Sequence, residues 1–477
     1  MYTKVSGRKM LLGGEWVDRE RTIEVRNPED NQFITTVPAA SSSDMEKAIE
    51  IAKEGAKMAS NLSVHERMDI LRKAAHLIEK EKEAFAYTIA TEGSKTIKEA
   101  RKEVERCIET IRLSGEEARQ IGGETIAFDQ AKGSENRVGY FYRFPIGIIG
   151  AITPFNDPLN LVAHKIGPAI ASGNAIIVKP ASVTPLSALK LAEVFCEAGL
   201  PKKILSVITG YGHEIGDVLV CHPDVQMISF TGGVDAGLAI TKKAGLKKIS
   251  MELGSNSPVI VLEDANVDDA VKACVSGAFW AAGQNCLGVQ RIFIEESRFK
   301  AFCSRFVELT KRYHTGLKLN ETTDMGPLIT EKEAIRVKAL IDKGIEEGAT
   351  LLCGGERNGA FLQPTVLTDV HEKSELATEE IFGPVVLLFP FTNLDEAIEK
   401  ANAVKYGLQA GIFTENIKAA FKAVAKLHVG GILINDSSDY RIDAMPFGGV
   451  KQSGIGREGV KYSIQEMTEP RVVCFQL

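Results

Sequence analysis

The fold is decided by AIIVKPASVTP, residues 175–185, where an apolar run stops abruptly on lysine, proline and small polar residues. ILSVITG (204–210), MISFTGG (227–233) and SPVIVL (257–262) repeat that grammar, and residues 185–198 and 215–220 carry helical spacing between the runs. Short, wholly apolar strands alternating with helices predict a parallel sheet covered on both faces, the type of sheet that binds nucleotides at its strand ends. Working toward the N-terminus, GIIGAITP (147–154) reads as another buried strand. Before it, Val138, Tyr140 and Tyr142 alternate with polar or small residues as a half-exposed one. Residues 43–59 and 64–119 read as long helices, with polar starts and apolar residues three and four apart.

Toward the C-terminus a second α/β series runs from Val259: helix 268–281, strand 291–296, helices 297–311 and 331–347, and strands near 361–367, 385–390 and 432–435. A glycine-rich stretch, FGGVKQSGIGREG, then leads to a last helix and the terminal strand RVVCFQL. That apolar strand has no hairpin partner nearby, and the 139–143 ribbon of a second copy is its candidate partner.

The 477 residues allow several domains with sizeable cores, which excludes a small stapled scaffold. A hydrophobic share of 44% and a charged share of 25% exclude wholesale disorder. The net charge of −6 leaves no basic surplus for a phosphate backbone, so no nucleic-acid partner is expected. No apolar run approaches the ~20 residues of a membrane helix, and the start, residues 1–9, has no secretory pattern, so no membrane partner and a cytoplasmic location are expected. Eight scattered cysteines without a C-x-x-C pair argue against both a metal cluster and a disulfide framework; no metal is expected.

Three segments carry chemistry together. GQNCLGVQR (283–291) puts Cys286 behind glycine, a setting read as a loop-to-helix junction whose N–H groups favour the thiolate. ITPFNDPLN (152–160) holds Asn156 in a stiff turn after a buried strand, where its amide can face a developing oxyanion. MELGSNSP (251–258) ends a strand on Glu252, a partly desolvated candidate general base. The spaced fingerprint G-x-G-x-x-G is absent, although Gly210, Gly212 and Gly216, and Gly232, Gly233 and Gly237, sit at strand–helix junctions suited to a pyrophosphate. Lys179 and Ser182, with no acid at that strand end, tolerate a ribose 2′-phosphate.

In this order PFNDP, VKPAS, FTGG, MELG, GQNC, EEIFGPV and PFGGVKQSGIGREG resemble the motifs of the aldehyde dehydrogenase superfamily over nearly the whole chain. The resemblance implies a Rossmann-type cofactor domain at 1–125 and 146–255, an α/β catalytic domain at 256–440, and a small β oligomerisation element at 126–145 and 441–477. It implies Cys286 as nucleophile, Asn156 with the Cys286 N–H as oxyanion hole, and Glu252 as the base for the deacylating water. It further implies cofactor contacts from Ile152, Thr153, Pro154, Phe155, Lys179, Ser182, Gly212, Gly216, Phe230, Thr231, Gly232, Leu253, Glu380 and Phe382. Glu469, in MTEP, matches a position that assists proton release in some members.

Two features set this sequence apart from the common pattern. Gly233 replaces the usual serine of the cofactor turn, and Ser182 stands where NAD-preferring members often carry glutamate, so NADP is the expected cofactor, with NAD possible. Arg106 resembles an arginine that lines the substrate tunnel of some members, Arg441 lies in the variable loop before the C-terminal signature, and either could pair with an anion. The expected reaction is therefore oxidation of a small hydroxylated or anionic aldehyde, of the lactaldehyde, phosphonoacetaldehyde, sulfolactaldehyde or succinate-semialdehyde kind, to its acid. Asp157 and Asn285 speak against a doubly charged phosphonate. The alternatives are a coenzyme A-acylating enzyme, which the presence of Glu252 disfavours, and a cysteine esterase with no redox step. A homodimer or homotetramer is expected.

Overall fold

The structure, a computed structural model, describes residues 8–477, so the polar start read above lies, up to residue 7, outside the described residues. Two sheets organise the chain. Five parallel strands form the centre of the first, in the spatial order Leu205–Val207, Ala175–Lys179, Ile148–Ile152, Met227–Thr231 and Lys248–Glu252. The antiparallel pair Met10–Leu12 and Glu15–Val17 extends one edge, and Gly454–Ile455 the other. Alternate residues of these strands enter different cores: Ile149, Ala151, Ile176 and Val178 pack on one face, Ile148, Ile177 and Ile228 on the other. Two buried faces are why these strands read as continuous apolar runs rather than as alternation.

The second sheet has seven strands, in the order Thr350–Cys353, Thr365–Thr368, Val385–Phe391, Val289–Glu295, Ser257–Val261, Gln409–Phe413 and Gly431–Ile434, all parallel but the first. It too is covered on both faces, with Ile260, Phe293 and Leu387 in one core and Val259, Ile292 and Leu388 in the other.

Two expectations are corrected. Residues 64–119 form three helices, Val64–Lys80, Lys82–Glu92 and Ile97–Ala118. The break before the third is a capping box: Thr96 Oγ1 accepts from the Glu99 N–H and the Glu99 carboxylate accepts from the Thr96 N–H. The terminal strand Thr468–Gln476 does join the expected ribbon, but in its own chain, pairing antiparallel with Arg137–Pro145 from Thr468 opposite Pro145 to Gln476 opposite Arg137. Helix Val460–Glu466 packs against Asn160–Ala171 and Ile97–Ala118, and Lys248 Nζ donates to the carbonyls of Glu466 and Thr468, which delivers the chain to that edge.

Candidate active site

The C-terminal ends of the first sheet's parallel strands and the segments that lead into two strands of the second sheet meet at one cavity of about 710 Å³. The first sheet contributes Ile152, Thr153, Pro154, Phe155 and Asn156, then Phe230, Thr231, Gly232 and Gly233, then Glu252, Leu253 and Gly254. From the second come Gln284 and Cys286, just before strand Val289–Glu295, and Glu380 and Phe382, just before Val385–Phe391. Cys286, Asn156 and Glu252, separated by up to 130 residues in sequence, therefore share one space. Small-molecule sites form at such strand ends because the polar loop groups converge there above an apolar floor.

Cys286 sits in a turn that enters a strand, and no helix begins at it. The expected helix-end activation is thus corrected. Burial pushes the thiol up to about 12; Arg441 opposes this, while Glu380, Glu252 and Glu458 add to it. The turn is shaped upstream by Ala281, Ala282 and Gly283, three consecutive residues at φ 50°, 56° and 70°. Such a run is costly for alanine. It is held by buried Glu99, whose carboxylate accepts from the Ala281 N–H at 2.8 Å. Gly283 is required for a second reason: a side chain there would meet the Gly383 carbonyl. Downstream, Ser438 Oγ donates to the Leu287 carbonyl, tying the nucleophile turn to the loop after strand Gly431–Ile434.

Glu252 is more deeply buried than expected, at 3% exposure, and neither carboxyl oxygen makes a hydrogen bond among the described residues. Burial, reinforced by the charge of Glu458, raises it well above the usual carboxylate range, against Lys165, Arg441 and Arg457. Glu458 is the opposite case. Burial works against its charge, yet Lys165, which pairs with it directly, together with His164 and Arg441 holds it down to about 2. Sequence reading missed both Lys165 and Glu458. The signal available was a lysine inside an otherwise apolar helix, Asn160–Ala171, and a glutamate inside a glycine-rich stretch.

Asn156 lies in the turn before that same helix, whose first N–H groups, at Leu159 and Asn160, donate to buried Glu103. Asp157, next in the chain, pairs with Lys95, which also binds Glu103 at 2.8 Å. Arg106 and Arg441 do not line the cavity. Each already has a carboxylate partner: Arg106 donates to Asp443 at 2.8 Å, and Arg441 donates to Glu458 at 3.3 Å while stacking on the Phe447 ring at 3.8 Å. His164 also reaches Asp443, at 2.8 Å, and burial keeps its imidazole below the usual range.

The other end of the cavity suits a dinucleotide. Thr153 Oγ1 and Thr231 Oγ1 are buried and make no hydrogen bond among the described residues. Helix Val234–Ala244 begins at Gly233, around which there is open space, so its N-terminal N–H groups can be approached. Glu380 is pushed up to about 7 by burial, although the Ser255 N–H donates to it at 2.8 Å and Arg336 opposes the shift. Phe382, at φ 49°, meets Phe155 edge to face. Glu333 and Arg336, cavity residues that sequence reading did not single out, come from helix Glu331–Glu346. Lys179, Ser182, Gly212 and Gly216 do not line the cavity, though their neighbour Ala181 does. Lys179 is buried and lowered to about 8, and its ammonium donates to the Pro180 carbonyl near the start of helix Gly212–Cys221. Glu469 is exposed on the terminal strand, 3.9 Å from Lys248, and takes no part in the cavity.

Comparison with known proteins gives a consistent outcome. Residues 16–473 match the aldehyde dehydrogenase family. The chain is 49% identical to a protein named aspartate-semialdehyde dehydrogenase 1 from Pseudomonas canavaninivorans, over 96% of this chain and 97% of that one. It is 45% identical to a 3-sulfolactaldehyde dehydrogenase from Priestia aryabhattai, over 100% and 99%. A solved structure of an NADP-dependent glyceraldehyde-3-phosphate dehydrogenase from Bacillus halodurans, complexed with NADP, superposes with a TM-score of 0.96 at 39% identity, covering 99% of each chain.

Proposed function

The chain belongs to the aldehyde dehydrogenase family, and from that premise we propose that it oxidises a small hydroxylated or anionic aldehyde to its carboxylic acid through an acyl-cysteine, with NADP preferred. The observation that carries this reading is the meeting of Cys286, Asn156 and Glu252 in one cavity whose far end holds unpartnered hydroxyls and an open helix start.

Cys286 adds to the carbonyl, and its proton leaves as the C–S bond forms. The side-chain amide of Asn156 and the Cys286 N–H donate to the oxygen as charge develops there. When bound, an oxidised nicotinamide would supply the hydride acceptor for this step. Thr231, Gly232 and the N-terminus of helix Val234–Ala244 would hold the pyrophosphate, Glu380 would hold the nicotinamide ribose, and Phe382 would flank the ring. The thioester left on Cys286 is then cleaved by water. Glu252 takes the proton from that water, and its high proton affinity in the buried site suits the task. The ionised Glu458–Lys165 pair beside it keeps a second carboxylate charged there, which makes Glu252 the one that binds the proton.

Lys179 and Ser182 favour a 2′-phosphate: one supplies a cation beside a helix start and the other avoids the repulsion a carboxylate would bring. The exposed apolar stripe Ile417, Phe421 and Val424 lies on the helix leading to edge strand Gly431–Ile434, and Val472 and Phe475 are exposed on the terminal strand. Both surfaces suit burial between copies, as a homodimer or homotetramer. Eight free thiols suit a reducing, cytoplasmic setting.

The test is reduction of NADP and NAD with a panel of short aldehydes by the wild type and Cys286→Ala. Acid product without coenzyme A, faster with NADP and absent in the variant, is expected. A strict need for coenzyme A, or cleavage of esters with no nicotinamide reduction under any condition, contradicts the reading.

A further inference from the structure

We propose that helix Ile97–Ala118 sets the nucleophile in register with the oxyanion hole, with Glu99 and Glu103 as positioning residues, one for each turn. This deepens the proposed function and rests on it. The two glutamates stand four residues apart and so share a face of the helix. Both are buried, at 4% and 2% exposure. Glu99 Oε1 accepts from the Ala281 N–H at 2.8 Å, in the turn that leads to Cys286. Glu103 Oε1 accepts from the N–H groups of Leu159 and Asn160, at 2.8 and 3.0 Å, where the helix after Asn156 begins.

Each glutamate spends its second oxygen close to home. Glu99 Oε2 accepts from the Thr96 N–H at 2.8 Å, and Glu103 Oε2 from the Lys95 ammonium at 2.8 Å. Lys95 also pairs with Asp157, the neighbour of Asn156. A carboxylate that accepts at both ends fixes the spacing of the two groups it joins, because a good hydrogen bond tolerates little stretching. The helix is itself a firm base: Ala100, Val104, Cys107, Ile108 and Ile111 are buried in the core that holds Ile149 and Ile176 of the first sheet.

The nucleophile turn runs instead into the second sheet, at strand Val289–Glu295. It is also strained, with Ala281 and Ala282 at φ 50° and 56°, a conformation that persists only where the surroundings hold it. The oxyanion hole takes one donor from each side, the Asn156 amide from the first sheet and the Cys286 N–H from the turn before the second. Their separation is therefore a distance between sheets, and one helix holds both ends of it. A misplacement of about 1 Å in such a site costs about a hundredfold in rate.

The experiment is a double-mutant cycle on the first turnover. Wild type, Glu99→Gln and Glu103→Gln, each with and without Asn156→Ala, are mixed rapidly with NADP and lactaldehyde or succinate semialdehyde, whichever the wild type oxidises faster, and reduced cofactor is followed. A glutamine cannot accept at both ends, so each is expected to slow the first turnover about tenfold to a hundredfold with the cofactor Kd unchanged. Asn156→Ala, expected to cost about 10²–10³ in the wild type, should cost about tenfold or less in either glutamine background, because a donor already out of place has little left to lose. An equal cost in all three backgrounds overturns the proposal and leaves aldehyde oxidation by Cys286 intact. No reduced cofactor from the wild type with either aldehyde overturns both. If the glutamine variants do not fold, hydrogen exchange in the wild type decides. The Leu159 and Asn160 amides, which have no helical partner at a helix start, are expected to be protected about a hundredfold or more, and unprotected amides overturn the proposal.

Discussion

The two sheets face the same cavity with opposite habits. On the first sheet the polar groups at the strand ends are left open: Thr153, Thr231 and Glu252 are buried and their side-chain oxygens have no partner among the described residues. On the second sheet the comparable groups are saturated. Gln290 donates to the carbonyls of Leu376 and Glu379 and accepts from the Ile381 N–H. Arg291 donates to Asn256, Lys400 and Ala401, and Asn256 in turn donates to Ala377 and Glu379. Unpartnered buried oxygens are costly in a free protein and become useful when a ligand supplies their partners. A saturated network fixes geometry. The first sheet is thus built to receive, and the second to hold Cys286, Glu380 and Phe382 in fixed relation.

Changes on the two sheets should fail differently. Asn156→Ala, on the receiving side, is expected to lower kcat by about 10²–10³ with the melting temperature unchanged; steady-state kinetics beside calorimetry checks it, and an equal loss in both would merge the two habits. On the holding side, the pH dependence of the thiol is the next largest effect. With Cys286 pushed up to about 12, chiefly by burial, its thiolate fraction grows about tenfold per pH unit through the range where an ordinary thiol, near 8.5, would already level off. Alkylation of the Cys286 peptide by iodoacetamide, followed by mass spectrometry in the free enzyme, should therefore keep rising from pH 7 to about 10; a plateau near 8.5 would mean the thiol is not held in this way.

The smallest and most discriminating effects come as a pair. Gln290→Leu leaves the Leu376 carbonyl and the Ile381 N–H without their partner and should cost about 1–3 kcal/mol of stability. Thr231→Val removes a hydroxyl that has no partner in the free protein, so its stability should hold to within about 0.5 kcal/mol while the cofactor KM rises. Denaturant titration and cofactor titration of both variants decide whether receiving and holding are separable.

Much of this architecture was legible beforehand, and the reason is the burial of both faces of each sheet. Strands such as Ala175–Lys179 had to be apolar along their length and to stop on a polar or charged residue. Asn156 and Glu252 were legible because each closes such a run, and Cys286 because it stands behind glycine just ahead of one. What escaped reading depends on contacts far apart in sequence. The left-handed run at Ala281–Gly283 exists because Glu99, on a distant helix, binds the Ala281 N–H. Arg106 and Arg441 read as free anion binders because nothing local announces Asp443 and Glu458 as their partners. The terminal strand's partner lay 331 residues away in the same chain.

The account rests on Cys286 carrying the acyl group and Glu252 releasing it. Glu252→Gln, an uncharged replacement of the same shape that cannot accept the proton of the attacking water, should block release without blocking oxidation. Mixed rapidly with NADP and aldehyde, the variant should form close to one equivalent of reduced cofactor per site and then stop, with the acyl mass on the Cys286 peptide. Full multiple-turnover activity in this variant, or reduced cofactor formed with no acyl mass on that peptide, would contradict it.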